Sequence, residues 1–300
     1  MTIAALLVVS WLGWQPQPDA TALVQKGRRL VADGDFAAAL ALYDQALKQQ
    51  PGLADAHLAS GLVLDLMGRY PEARVQLASA IKSAPPELKA NTLNAMAISY
   101  AFEKRVDDSA RYFQQVYDLE TAANRPAAAA AAANAMGRLY LETGDTKKAR
   151  QWYETGYEVS RRQPDEPASQ LALWELRWLH AQGRIAARSG DAAAARTHLD
   201  AARALQEKTP ALKDEERTIA YLAGYVALYA GDAAGARAAL AKADQGDPFN
   251  LMLQAEAAEK AGDKAAALAF WKQILTLNGH GLQHALSRPV AQSKLRSAGL

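Results

Sequence analysis

An all-α protein is what this sequence predicts, and three observations predict it. The 300 residues include 68 alanines and 38 leucines against 11 valines and 6 isoleucines. That balance favours helix, because strands want β-branched and aromatic side chains. Turn signals of one kind recur along the chain, and the same small and bulky residues return at fixed distances around each. A β-sandwich, a barrel or a doubly wound sheet is excluded on this composition.

The first element is Ile3 to Trp14, twelve residues without a charge. A bilayer-spanning helix needs about 20 apolar residues, so the stretch is too short to cross as an ordinary span. It fits the apolar core of a secretory signal, and Ala20-Thr21-Ala22 supplies a small-x-small cleavage site. Residues 1–19 are therefore expected to direct export, cleaved or retained as an anchor. The alternative is an apolar N-terminal extension, since no Lys or Arg precedes the stretch.

The elements that follow are helices in pairs. Turns stand at Gly34-Asp35, Gly68-Arg69, Lys104-Arg105, Gly144-Asp145, Gly190-Asp191, Gly231-Asp232 and Gly262-Asp263, at intervals of 34, 36, 40, 46, 41 and 31 residues. Each interval holds two helix lengths, so each turn is the elbow of a helical hairpin. Glycine suits the left-handed residue that ends the first helix, and aspartate caps the second. Seven residues before the elbow lies Gly27, Gly61, Ala97, Gly137, Gly183, Gly224 or Ala255. Nine after it lies Tyr43, Leu77, Phe113, Tyr153, Leu199, Leu240 or Trp271. A missing side chain lets two helices approach, and the bulky one fills the space beside it. Pro51, Pro85 and Pro248 are expected to close their repeats. Ala127 to Ala133 should begin a helix, Asp214-Glu215-Glu216 should begin another, and Gln163 to Pro167 should be a loop. Residues 280–300 should form a tail whose short helix covers the exposed end.

Gly27, Gly34, Phe36, Ala39, Tyr43, Ala46 and Pro51 occupy signature positions of a known pattern, and residues 20–279 as a whole resemble the tetratricopeptide repeat. The resemblance implies a right-handed superhelix, an α-solenoid of about seven antiparallel helix-turn-helix units, each burying its apolar face on its neighbours. It also implies a scaffold that binds a protein or peptide segment in a concave groove. The carboxylate clamp of chaperone-binding members is not matched, since Val24, Arg28, Ala59, Asn91 and Ala95 stand at its positions.

Chemistry-bearing patterns are absent. There is no Gly-rich phosphate loop, no G-x-S-x-G and no H-E-x-x-H. No cysteine is present, which removes thiolate metal sites and cysteine nucleophiles. His280 and His284 could share a helical face, but without a nearby carboxylate they do not suggest a metal. The 34 basic and 32 acidic residues are evenly spread, 8 and 8, 14 and 14, 12 and 10 by successive hundreds, so no footprint for nucleic acid exists. No catalytic residue, cofactor or metal is expected, and membrane contact is expected only through the N-terminal segment.

Carrying the family's groove positions over gives candidate partner-binding residues. They are Asn91 and Asn94, then Asn134 and Arg138, then Arg177, His180, Arg184 and Arg188, then Tyr221, Tyr225 and Tyr229. Spacings of three and four put each set on one helical face. Amides can pair with an extended backbone, arginines grip carboxylates and tyrosines supply rigid amphipathic surface. The groove should suit a segment with acidic and apolar residues. The competing readings are a solvated arginine face and tyrosines packed between hairpins. For function, the alternatives are a self-assembling structural subunit and, more remotely, a small-molecule binder or enzyme.

Overall fold

Seven elbows turn the chain back on itself, and one backbone device builds them all. A computed structural model describes residues 19–162 and 166–300. In it the hairpins are α1 (Ala20–Ala32) with α2 (Phe36–Gln49), α3 (Ala54–Leu66) with α4 (Tyr70–Ser83), and α5 (Pro86–Phe102) with α6 (Val106–Ala122). They continue as α7 (Pro126–Thr143) with α8 (Thr146–Ser160), α9 (Ala168–Arg188) with α10 (Ala192–Lys208), α11 (Glu216–Tyr229) with α12 (Ala233–Leu240), and α13 (Pro248–Lys260) with α14 (Lys264–Thr276). A last helix, α15 (Leu282–Ser297), follows.

At every elbow the residue ending the first helix has a positive φ. Gly144 reaches 98° and Lys104, the one non-glycine in the series, adopts 54°. The next amide reaches back five residues, as from Asp145 to Tyr140 and from Arg105 to Tyr100, which satisfies carbonyls the helix end leaves open. Where aspartate follows, it caps the second helix: Asp145 accepts from the Lys148 amide at 2.9 Å and Asp191 from the Ala194 amide at 2.9 Å. Arg69 and Arg105 make no such side-chain cap.

The small-and-bulky pairs meet inside the hairpins. A Cβ on Gly137 would lie 2.8 Å from the Tyr153 ring, and one on Gly61 would lie 2.6 Å from Leu77. Gly183 departs from this pattern: its nearest neighbour is Leu222 of the next hairpin, at 3.1 Å. There the small residue opens a seam between repeats. Side chains from Leu66 to Leu295 form one continuous core cluster.

The ends and junctions refine the sequence reading. Ile3 to Trp14 lies outside the described residues, as do 163–165 of the expected loop. Asp19 caps α1, and Ala20 is buried, so Ala20-Thr21-Ala22 forms the first turn of a packed helix. Pro85 and Pro248 stand at the entries of α5 and α13, where a missing N–H costs nothing. A 3₁₀ turn, Pro210–Glu215, precedes α11, so that helix begins at Glu216.

The tail does more than cover an end. α15 packs on α13 and α14 and also reaches α5 and α7, on the far side of the array. His280 Nε2 stands 2.8 Å from Asp65 Oδ2, and Ser99 donates to Asp65 Oδ1 at 2.8 Å. The His280 ring rests near Phe102, with centroids 5.7 Å apart. The contact joins residues 215 positions apart, so the tail closes the superhelix on itself. The physical reason is a buried carboxylate in repeat two that needs a partner, which the tail supplies.

Candidate functional site

First helices of successive hairpins touch one another, as α3 does α5 and α11 does both α9 and α13. They therefore line the inside of the curve, and the candidate residues lie on them. A cavity of about 500 Å³ is lined by Lys104, Glu142, Arg188, Tyr229 and Glu256, with Leu286 and Val290 of α15. Two adjoining clefts of about 390 and 380 Å³ share Arg138, His180 and Thr218.

The arginine row is split by its partners. Arg138 Nε lies 2.8 Å from Glu142 Oε1, and its Nη2 donates to the Tyr221 hydroxyl at 2.5 Å. Arg188 pairs with the other Glu142 oxygen, and its Nε donates to the Tyr225 hydroxyl at 2.8 Å. One carboxylate thus serves two guanidiniums. Burial, reinforced by that carboxylate, pushes the Tyr225 hydroxyl well above its usual pKa. Arg184 is 5% exposed and has no ion pair among the described residues. Its Nε donates to His180 Nδ1 at 3.0 Å and its Nη2 to the Tyr153 hydroxyl at 3.0 Å, leaving Nη1 buried without a partner. Arg177 is exposed and stacks over Trp174, 4.7 Å from the ring centroid.

His180 is held neutral. Burial drives its pKa well below the ordinary value, and the charges of Arg184 and Arg138 add to this. Because Nδ1 accepts from Arg184, the single ring proton sits on Nε2. The ring stacks on Tyr221 with centroids 5.5 Å apart.

The structure brings Asn134, Arg138, Arg177, His180 and Arg184 together on one cleft. Tyr221 lines its neighbour, and Tyr229 lines the cavity beside α15 with Arg188. Tyr225 is 0% exposed, lines neither cleft, and accepts from Arg188 through its hydroxyl. Asn91 is exposed and Asn94 half-buried on α5, and neither lines the clefts. Trp174 and Thr218 line the site although the sequence reading passed over them. Trp174 could have been found by extending the arginine spacing back one turn from Arg177. Among the described residues no group of three His, Cys, Asp or Glu side chains could hold a metal, and no helix is long and apolar enough to cross a membrane.

Comparison with known proteins agrees with the hairpin geometry. Two tetratricopeptide repeat models match, one over residues 24–87 and the other over 88–162. No curated protein matches the chain in sequence. Among solved structures, the apo form of RapI superposes with a TM-score of 0.61 at 14% identity, over 93% of this chain and 99% of that one. A tetratricopeptide repeat protein from Parabacteroides merdae gives 0.54 at 13% identity, over 90% and 98%. The Rap conjugation gene regulator of plasmid pLS20, in complex with the Phr* peptide, gives 0.52 at 13%, over 94% and 76%. At such identities the likeness speaks to the fold alone. With the repeat models covering the four hairpins from α1 to α8 and the same elbow continuing to Gly262, the chain belongs to the tetratricopeptide repeat family.

Proposed function

We propose that the array is a non-enzymatic scaffold that takes a segment of a partner protein, or a peptide, on its concave face between α7, α9 and α11. The observation that carries this reading is the pair of adjoining clefts, lined by Asn134, Arg138, Arg177, His180, Arg184 and Thr218 from three successive inner helices. Polar groups lined up across neighbouring repeats suit a ligand that runs along the array. The plasmid pLS20 regulator, similar in fold, was solved with a peptide.

A photo-crosslinking side chain placed at Asn134, in the cleft, should capture a partner that the same group at Glu154, exposed on α8, does not. Equal capture from both positions would remove the groove from the account. A self-assembling subunit is favoured by a different observation. Repeats one and two carry a cleft of about 540 Å³ that includes Met67 and the 65%-exposed Val75. A mass in solution that is oligomeric, and that Val75→Glu returns to monomer, would support that second reading.

The compartment we propose is outside the cytoplasm, on the strength of the uncharged Ile3 to Trp14 stretch. Residues 1–24 fused to a reporter active only after export should give signal, and a signal no higher than that of the unfused reporter would sink the idea.

A further inference from the structure

We propose that the cleft between α7, α9 and α11 is a carboxylate-binding site, in which Arg184 and Arg177 receive the acid group of the bound segment. The proposal rests on the concave-face reading and names its chemistry. Arg138, Arg177 and Arg184 line the cleft, Arg188 and Arg217 flank it, and Glu142 is the one carboxylate in ion contact with any of them among the described residues. That carboxylate is fully engaged by Arg138 and Arg188. Arg184 and Arg177 make no ion pair among the described residues, and Glu215 and Asp247 act on them only from a distance.

Arg184 is the decisive residue. It is nine-tenths buried and lines the cleft, and its Nη1 has no partner. Its remaining nitrogens are fixed by His180 and Tyr153, so the free edge of the guanidinium is held in one orientation. A water could accept one hydrogen bond there, but it brings no charge to balance a buried cation. A carboxylate brings both. The Trp174 indole N–H, also buried without a partner in the same cleft, is a further donor.

A singly charged acid fits better than a phosphate. The adjoining cleft carries Asp214, Asp244 and Asp247 across the shared Arg138, His180 and Thr218. That rim repels any anion, and a doubly charged one more than a singly charged one. The Tyr153 ring beneath Arg184 and the Ala131 methyl give the acid's stem an apolar wall. An acidic side chain of a peptide and a free small acid share this chemistry, and the groove argues for the peptide.

The test uses the full chain and nuclear magnetic resonance of the Trp174 indole N–H, assigned with Trp174→Phe. The probes are acetyl-Leu-Glu-Leu-amide, its glutamine counterpart, acetate and inorganic phosphate. The glutamate peptide should shift the signal saturably, and the glutamine peptide should not. Arg184→Met should weaken the glutamate peptide about tenfold or more. Arg177→Gln, at an exposed position, should weaken it several-fold even if the buried variant folds poorly. Acetate binding as tightly as the peptide supports the carboxylate site and assigns it to a free acid. Equal titration by the glutamate and glutamine peptides, no saturable shift with any acid, or tighter binding of phosphate overturns the proposal. Cross-links from Asn134 that persist in that event would leave the concave-face reading standing.

Discussion

Breaking the contact between Asp65 and His280 should uncouple the two ends of the array. Asp65 is 1% exposed and accepts from Ser99 at 2.8 Å while facing His280 Nε2 at 2.8 Å. Burial pushes the Asp65 carboxyl above its usual pKa, and the bonds from His280 and Ser99 pull it back, so the partners offset a real desolvation cost. His280→Ala leaves that carboxyl with Ser99 alone. Leaving a buried acceptor short of a hydrogen-bond partner costs about 1–3 kcal/mol, and loss of the ring's contact with Phe102 adds to the deficit. Asp65→Ala leaves two donors unsatisfied, at about 1–3 kcal/mol each. Because both single variants lose the same contact, the double variant should cost less than their sum, by about 1–3 kcal/mol. The readout is urea unfolding of the four proteins, with limited proteolysis of α15 beside it. In an array whose helices pack mainly on those of adjacent repeats, opening the closure should also spread a single transition into two and expose α15 to cleavage. Additive single effects, with α15 equally protected in all four, would show that the contact stabilises nothing and that the closure rests on apolar packing alone.

Lys104 occupies a left-handed conformation that its neighbours in the series give to glycine, so Lys104→Gly should raise stability by about 0.5–1 kcal/mol, read as a higher thermal midpoint. A lower midpoint would mean that the lysine side chain is worth more than the strain. Gly137→Leu would drive a side chain into the Tyr153 ring, and Ala195→Leu would enlarge a fully buried site; each should cost about 1–3 kcal/mol, and unchanged melting in either would undo the packing argument there. His284 is pulled down to about 4 by burial, with the charges of His280 and Arg288 adding to the effect. A depressed folded pKa means that its share of stability is intact above about 6.5 and is lost as the pH falls towards 4. His284→Phe should therefore narrow the fall in stability over that window, and parallel curves for the two proteins would refute it.

The repeat was legible because it is a local matter. An elbow glycine, a capping aspartate and a small residue sixteen positions from a bulky one act within a single hairpin, so spacing alone placed Gly34, Gly144 and the Gly137–Tyr153 pair. Even Lys104 could be placed, since the neighbouring elbows fixed its position in the pattern. The inner faces could be read as well, and Arg138, Arg177, His180 and Arg184 do share one cleft. Which of those arginines has a partner could not be read. Glu142 reaches Arg188 across 46 residues and so divides the row into paired and unpaired members, and no helical spacing encodes that. Tyr225 shows the same limit, because its face on α11 was legible but its burial behind Arg188 depends on how the hairpins stack. The closure lies further still beyond the sequence. Asp65 and His280 look like ordinary polar residues in their own segments, and only the superhelix's curvature, accumulated over five intervening hairpins, brings them within a hydrogen bond.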